Sequence, residues 1–145
     1  MAHARTQIRA AVVALVAGLA TTAANIHSNR LYNFEETDLP CLNVIDMASD
    51  ELVELSEMSG KTNTRVLSLR IEGRAKANSN LDDQLDQIAS EVEAVLDGAK
   101  PAGAKLCTLV STSKQKSEGD QPYGKIDLDF DITYNTVRGA PDVIV

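Results

Sequence analysis

The chain has 145 residues, the size of one ordinary domain able to bury roughly two thirds of its unfolded surface. Its hydrophobic fraction of 43% and charged fraction of 24% are ordinary for a globular protein, and with aromatics at only 3% the core must be built from Ala, Val, Leu and Ile. A formal charge of −7 argues against direct nucleic-acid binding by phosphate neutralisation, which needs a basic face.

The N-terminus admits two readings. Arg5 and Arg9 precede an apolar run over residues 10 to 20, and Ala23-Ala24 resembles a small-residue cleavage site, as in a secretory leader. The same residues form an amphipathic helix over 4 to 20, with Ile8, Val12, Leu15 and Leu19 on one face. Periodicity alone leaves both readings standing. No run of 18 or more apolar residues exists, so the sequence contains no membrane-spanning helix.

Residues 30 to 34 read as a short extended piece leading into the acidic turn Glu35-Glu36-Thr37-Asp38-Leu39-Pro40. Pro40 holds Leu39 extended and so introduces a strand over 41 to 47, with Leu42 and Val44 on one face and Cys41, Ile45 and Met47 on the other. Leu52, Val53 and Leu55 suit a short strand, and Ser59-Gly60-Lys61 a turn. Residues 62 to 75 form a long strand, Leu67, Leu69 and Ile71 on one face against Arg70, Glu72 and Arg74 on the other.

Ser79 is placed to cap a second helix, with Asp82 completing an acidic capping box and Asp83 favouring the helix dipole. Its apolar stripe is Leu81, Leu85, Ile88, Val92 and Leu96, and Gly98 and Pro101 end it. Residues 106 to 111 read as another strand, and the polar stretch 112 to 123 as an exposed hairpin connection. In the last strand Ile126, Leu128, Phe130, Ile132 and Tyr134 alternate with Lys125, Asp127, Asp129, Asp131 and Thr133. Burying that apolar face contributes on the order of 10 kcal/mol gross, so the strand must be central. The tail from Arg138 onward, with Gly139 and Pro141, reads as irregular. The expected fold is a single α+β domain over 1–145, two helices packed on a mainly antiparallel, mixed β-sheet.

Little in the chain suggests catalysis. His3 and His27 are the only histidines, and neither stands beside a Cys or a Gly-flanked Ser. The glycines are scattered singly, so no phosphate loop is present. Cys41 and Cys107 match no metal or redox spacing and read as buried, reduced thiols. Asp127, Asp129 and Asp131 repeat on one strand face roughly 6.5–7 Å apart, far for a Mg²⁺ ion whose ligands lie at about 2.1 Å. The plain reading is a solvated strand face; the alternatives are an acidic patch facing a lumen or partner subunit, and a metal-dependent site. Asp82, Asp83 and Asp86 read as capping and solvation. Arg65, Arg70, Arg74 and Lys76 form a basic stripe, for which cross-strand pairing with an acidic strand ranks before a binding patch. No catalytic residue, metal or cofactor is expected.

Four stretches, in order, resemble the tail terminator proteins of long-tailed bacteriophages, the minor tail protein U type. Gln7-Ile8-Arg9-Ala10-Ala11-Val12 is similar to that family's opening helix. Arg30-Leu31-Tyr32, followed by Glu35 through Val44, is similar to its acidic turn, proline and first sheet strand. Leu67-Ser68-Leu69-Arg70-Ile71-Glu72-Gly73, leading to Leu81-Asp82-Asp83-Gln84-Leu85-Asp86, is similar to its long strand and second helix. Asp127-Leu128-Asp129-Phe130-Asp131-Ile132-Thr133-Tyr134 is similar to its closing strand. Residues 46 to 61 and 114 to 121 depart from the pattern.

The resemblance implies a structural virion protein that caps the tail tube, ends its polymerisation and offers a surface for joining the head. The implied partners are further copies in a homohexameric ring, the major tail tube protein and the head–tail connector or neck protein. The implied location is the upper end of the tail, assembled in the host cytoplasm. Asp127, Asp129, Asp131, Arg70 and Arg74 are candidates for a subunit or lumen contact face. The resemblance also decides for a retained helix at the N-terminus. A connector or neck protein of the same virion is the nearest rival, and a small secreted binding domain with a cleaved leader and a Cys41–Cys107 disulfide is a rival of another class. Intact-mass spectrometry is expected to find the first helix retained; loss of about two dozen residues, as leader cleavage requires, would contradict it.

Overall fold

The structure is a computed structural model that describes residues 2–22, 25–28, 39–47, 52–55, 60–76, 80–117 and 123–145. The expected extended piece at 30–34, most of the acidic turn and Ser79 lie outside the described residues.

The chain runs α1 (Ala4–Val16), β1 (Ile26–Ser28), β2 (Cys41–Asp46), β3 (Leu52–Leu55), β4 (Thr62–Lys76), α2 (Leu81–Leu96), a 3₁₀ turn (Pro101–Gly103), β5 (Leu106–Ser117), β6 (Tyr123–Val137) and β7 (Ala140–Ile144). The described strands form one sheet ordered β1-β2-β4-β6-β5, with β3 also beside β4 and β7 also beside β6. Only β1 and β2 pair in parallel; every other described pair is antiparallel. The fold is therefore the α+β class expected, two helices on one mixed, mainly antiparallel sheet.

Two strands of 15 residues each make its axis. β4 and β6 pair without interruption from Thr62↔Val137 to Lys76↔Tyr123. The register sets Leu67 opposite Ile132, Leu69 opposite Phe130 and Ile71 opposite Leu128, so the apolar face of each strand meets that of the other. Leu42 and Val44 of β2 join the same face through Gly73 and Ile71. Both helices lie on it. Leu81, Leu85, Ile88, Val92 and Leu96 of α2 are all buried, as their spacing predicts.

α2 approaches the sheet over two glycines. A Cβ at Gly73 would stand 2.6 Å from Ile88 Cγ2, and one at Gly124 would stand 2.8 Å from Leu85 Cδ1. Helix and sheet can close to this distance only because those positions carry no side chain. The helix ends at Gly98, whose φ of +82° reverses the chain toward β5.

The structure corrects several expectations. α1 ends at Val16, not near residue 20, because Ala17 is extended and Gly18 takes a φ of +79°. Its buried stripe is Ala4, Ile8, Val12 and Val16, a spacing of four throughout; Leu15 is 40% exposed, and Leu19 meets the core margin from beyond the helix. The N-cap of α2 is Asn80 and has no side-chain capping bond, while Asp82 accepts from Lys116 Nζ at 3.0 Å instead. β5 continues through residues read as a connection, because pairing with β6 down to Ser117↔Tyr123 holds a polar edge strand that needs no apolar face. The tail is not irregular: Arg138 and Gly139 form a tight turn, φ at Gly139 being +79°, and β7 returns along β6. Pro141 is tolerated there because β7 is an edge strand.

Cys41 and Cys107 are buried free thiols. They sit on strands three spacings apart, about 14 Å, and on opposite faces of the sheet, whereas a disulfide needs Cα atoms within roughly 7 Å. The cross-link required by the secreted-domain reading cannot form in this fold.

The close approach at Gly73 yields a direct test. Gly73→Val should destabilise the protein by about 1–3 kcal/mol through overpacking against Ile88 and Ile126. Urea denaturation with an unchanged midpoint would show that α2 does not seat on β4 as described.

Candidate assembly surface

The pleat that directs apolar residues to the helices directs the charged ones to the opposite face. Arg70 is in register with Asp129, Glu72 with Asp127, Ser68 with Asp131 and Arg74 with Lys125. The carboxylates predicted to share a face thus meet the basic residues predicted to share one. Arg70 thus pairs across the sheet with the acidic strand, as its position on the strand face predicts.

Arg70 is the hub. Its Nε donates to Asp129 Oδ1 at 2.8 Å and its Nη2 to Asp129 Oδ2 at 3.3 Å, a two-toothed grip, while Nη1 lies 4.0 Å from Asp127 Oδ2. Ser111 Oγ, from β5, donates to the same Asp129 Oδ2 at 3.1 Å. Ser68 Oγ donates to Asp131 Oδ1 at 2.8 Å, and Lys125 Nζ stands 3.5 Å from Asp127 Oδ2. Arg74 does not reach the acidic strand; its Nη2 donates to Glu72 Oε1 on its own strand at 3.0 Å.

Two neighbouring aspartates are held in opposite electrostatic states. The Arg70 hydrogen bonds keep the Asp129 carboxyl below the usual carboxylate range. Asp127 is only 5% exposed, and burial pushes its carboxyl above that range, with Glu72 across the ladder adding to the effect. Its Oδ1 is buried with no hydrogen-bond partner among the described residues. The reading of three solvated carboxylates is therefore wrong at Asp127, because strand neighbours on both sides close over the centre of the face. Alternation reveals which face a carboxylate occupies but not what stands beside it.

The remaining candidates fall elsewhere. Arg65 does not belong to the basic stripe: it has the parity of Leu67, is in register with Tyr134, and its Nη1 lies 3.4 Å from His3 Nε2. His3 caps α1, Nδ1 accepting from the Arg5 N–H at 3.1 Å. His27 lies on β1 in register with Asn43. Lys76 ends β4 on the polar face. Asp86 and Asp82 of α2 pair with Lys114 and Lys116 of β5, tying helix to sheet edge. Burial pushes the Cys107 thiol up to about 11, so it is protonated near neutrality and a poor nucleophile. Among the described residues no group of three His, Cys, Asp or Glu could hold a metal ion, and no helix is long and apolar enough to cross a membrane.

The two aspartates should respond oppositely to neutralisation. Asp129→Asn should cost about 1 kcal/mol at neutral pH, a charge-assisted pair discounted for partial exposure. Asp127→Asn should be neutral or stabilising, because it removes a desolvated charge. The depressed Asp129 carboxyl contributes stability that is fully present above its unfolded pKa of about 4 and lost as pH falls through its lower folded value. Asp129→Asn should therefore flatten the acid limb of the stability curve. Equal losses for both variants, measured in urea from pH 7 to pH 3, would contradict the assignment.

Residues 3–134 match the family of phage minor tail protein U. No curated protein matches the chain. Among solved structures, a chain from the virion of a native gene transfer agent particle is similar over 90% of this chain and 93% of its own, with a TM-score of 0.55 and 15% sequence identity, a likeness of fold. The family match extends from the cap of α1 to Tyr134 in β6, so it takes in both helices, most of the β4–β6 ladder and the charged face. The chain belongs to the phage minor tail protein U family and is a structural component of the virion tail.

Proposed function

We propose that this protein is the tail terminator: a ring of copies, six in number, that closes the tube when its length is set and then receives the head. The observation that carries the reading is the family match over residues 3–134, which takes in both helices and most of the sheet. In this role the chain acts by shape and charge, without catalysis. A protonated Cys107 and histidines committed to a helix cap and a short strand agree with that.

The helix-free face of the sheet is the surface we assign to a lumen or subunit contact. Asp127, Asp129 and Asp131 lie there with Arg70 and Arg74, and most of their charge is compensated within the subunit. A compensated face can line a channel without gripping what passes through it. It also limits the repulsion between copies that a chain of charge −7 would otherwise suffer. The partners in this reading are further copies, the major tail tube protein at one rim and the connector or neck protein at the other.

A phage lacking the protein is expected to make polymerised tails of abnormal length that do not join heads, as seen by electron microscopy of lysates. Tails of normal length that merely lack heads would overturn the terminator reading in favour of a connector.

A further inference from the structure

The margin of the sheet formed by β5 and β7 differs from the rest of the surface. Of the six large apolar side chains exposed among the described residues, four, Leu106, Val110, Val143 and Val145, belong to β5 or to β7 and its end, the other two being Leu15 of α1 and Tyr123 of β6. Single exposed apolar residues are common, but four on two neighbouring edge strands make this margin the candidate for a contact.

The backbone of β5 divides at the bulge between Leu109 and Ser111. Before the bulge the outer edge is covered by the end of α2: the Gly98 N–H donates to the Cys107 carbonyl at 2.8 Å, and the Leu109 N–H donates to Asp97 Oδ1 at 3.2 Å. Cys107 and Leu109 therefore turn their backbone groups away from β6. The bulge shifts the alternation by one residue, so that beyond it Thr112, Lys114 and Lys116 turn outward. No described residue pairs with those outward groups, and the side chains from 110 to 116 are all exposed. An open backbone edge is a template for another strand. Lys114 and Lys116 guard it, but their pairs with Asp86 and Asp82 are exposed and exchange at little cost.

We propose that this margin seats the next copy of the chain, which lays an extended segment along residues 112–116 and packs on Leu106, Val110, Val143 and Val145. The inference rests on the ring reading and names its seam. Residues 112–116 and the four apolar side chains make nine residues of this margin, a part of the roughly 20 a side that a standard stable interface uses. Leu106, in register with Thr133, and Val143 and Val145, which flank the core-facing Ile144, project on the polar side, so the seam takes the margin of that face and leaves its centre to line a lumen and the strand ends to form two unlike rims. The incoming surface must differ from the margin itself, because β5 laid on β5 would close a dimer and stop.

Hydrogen exchange on the full-length protein reads the seam, at concentrations below and above association as set by light scattering. The amides of Thr112, Lys114 and Lys116 are expected to slow by about tenfold or more on association. Thr112→Pro, which removes one outward N–H at an edge position that tolerates proline, should keep the monomer's melting temperature and abolish association. Val110→Asp, at a side chain already exposed, should do the same and serves if the proline variant does not fold. Association with those three amides unprotected, association limited to dimers, or normal association of Val110→Asp would overturn the seam while self-assembly stands. A protein that stays monomeric at every concentration, with a gene-deletion phenotype of normal-length tails, would remove the ring reading and the seam with it.

Discussion

The unbroken pairing of β4 with β6 is the constraint on which the rest of the molecule depends. Fifteen residues of each strand are in register, and side chains alternate across the sheet with a period of two. That one register faces Ile126, Leu128, Phe130, Ile132 and Tyr134 toward the helices and Asp127, Asp129 and Asp131 away from them. A slip of one residue would turn the three aspartates against Leu85 and Ile88 of α2 and leave Phe130 in water. Strong alternation on both partners makes that slip prohibitive, so the long ladder specifies itself. The shorter strands then take their places along its two outer edges, β2 and β3 beside β4, β5 and β7 beside β6.

The same ladder explains why the charged face is stable although its centre is buried. Arg70 satisfies Asp129 with two hydrogen bonds, and the residual field of Arg70 with Lys125 offsets part of the cost of Asp127. Asp127 remains the weak point, a carboxylate raised by desolvation beside one lowered by pairing. Charge is balanced locally on this face, so the chain's overall acidity resides elsewhere. That arrangement suits the proposed role, in which copies stand close together around a channel.

Where hydrophobic pattern governs, the fold was legible from sequence. The β4 and β6 strands, the α2 stripe and the helix-and-sheet class follow from alternation at two and at about four. Edges were not legible, because an edge strand such as the second half of β5 is held by backbone bonds and leaves no apolar signature. β7 was hidden by Gly139 and Pro141, residues that signal a turn but are equally at home beside a tight hairpin. The end of α1 was misplaced because Leu15 and Val16 are both apolar, and only packing against the core chooses Val16. Arg65 differs from these cases. Its parity with Leu67 was available in the sequence, but grouping by charge obscured grouping by face. At the candidate surface the pairing of Arg70 with the acidic strand was legible, whereas the burial of Asp127 depends on neighbours that no single strand reveals.

Membership in a tail-protein family makes the chain a structural part of the virion tail, and the role proposed for it there is a capping ring between tube and head. Its most direct measurement is the position of the protein in the native particle, by electron microscopy of virions carrying a label on this chain. The account predicts label at a single band, at the end of the tail nearest the head. Label distributed along the tube, or confined to the head side of the neck, would contradict it.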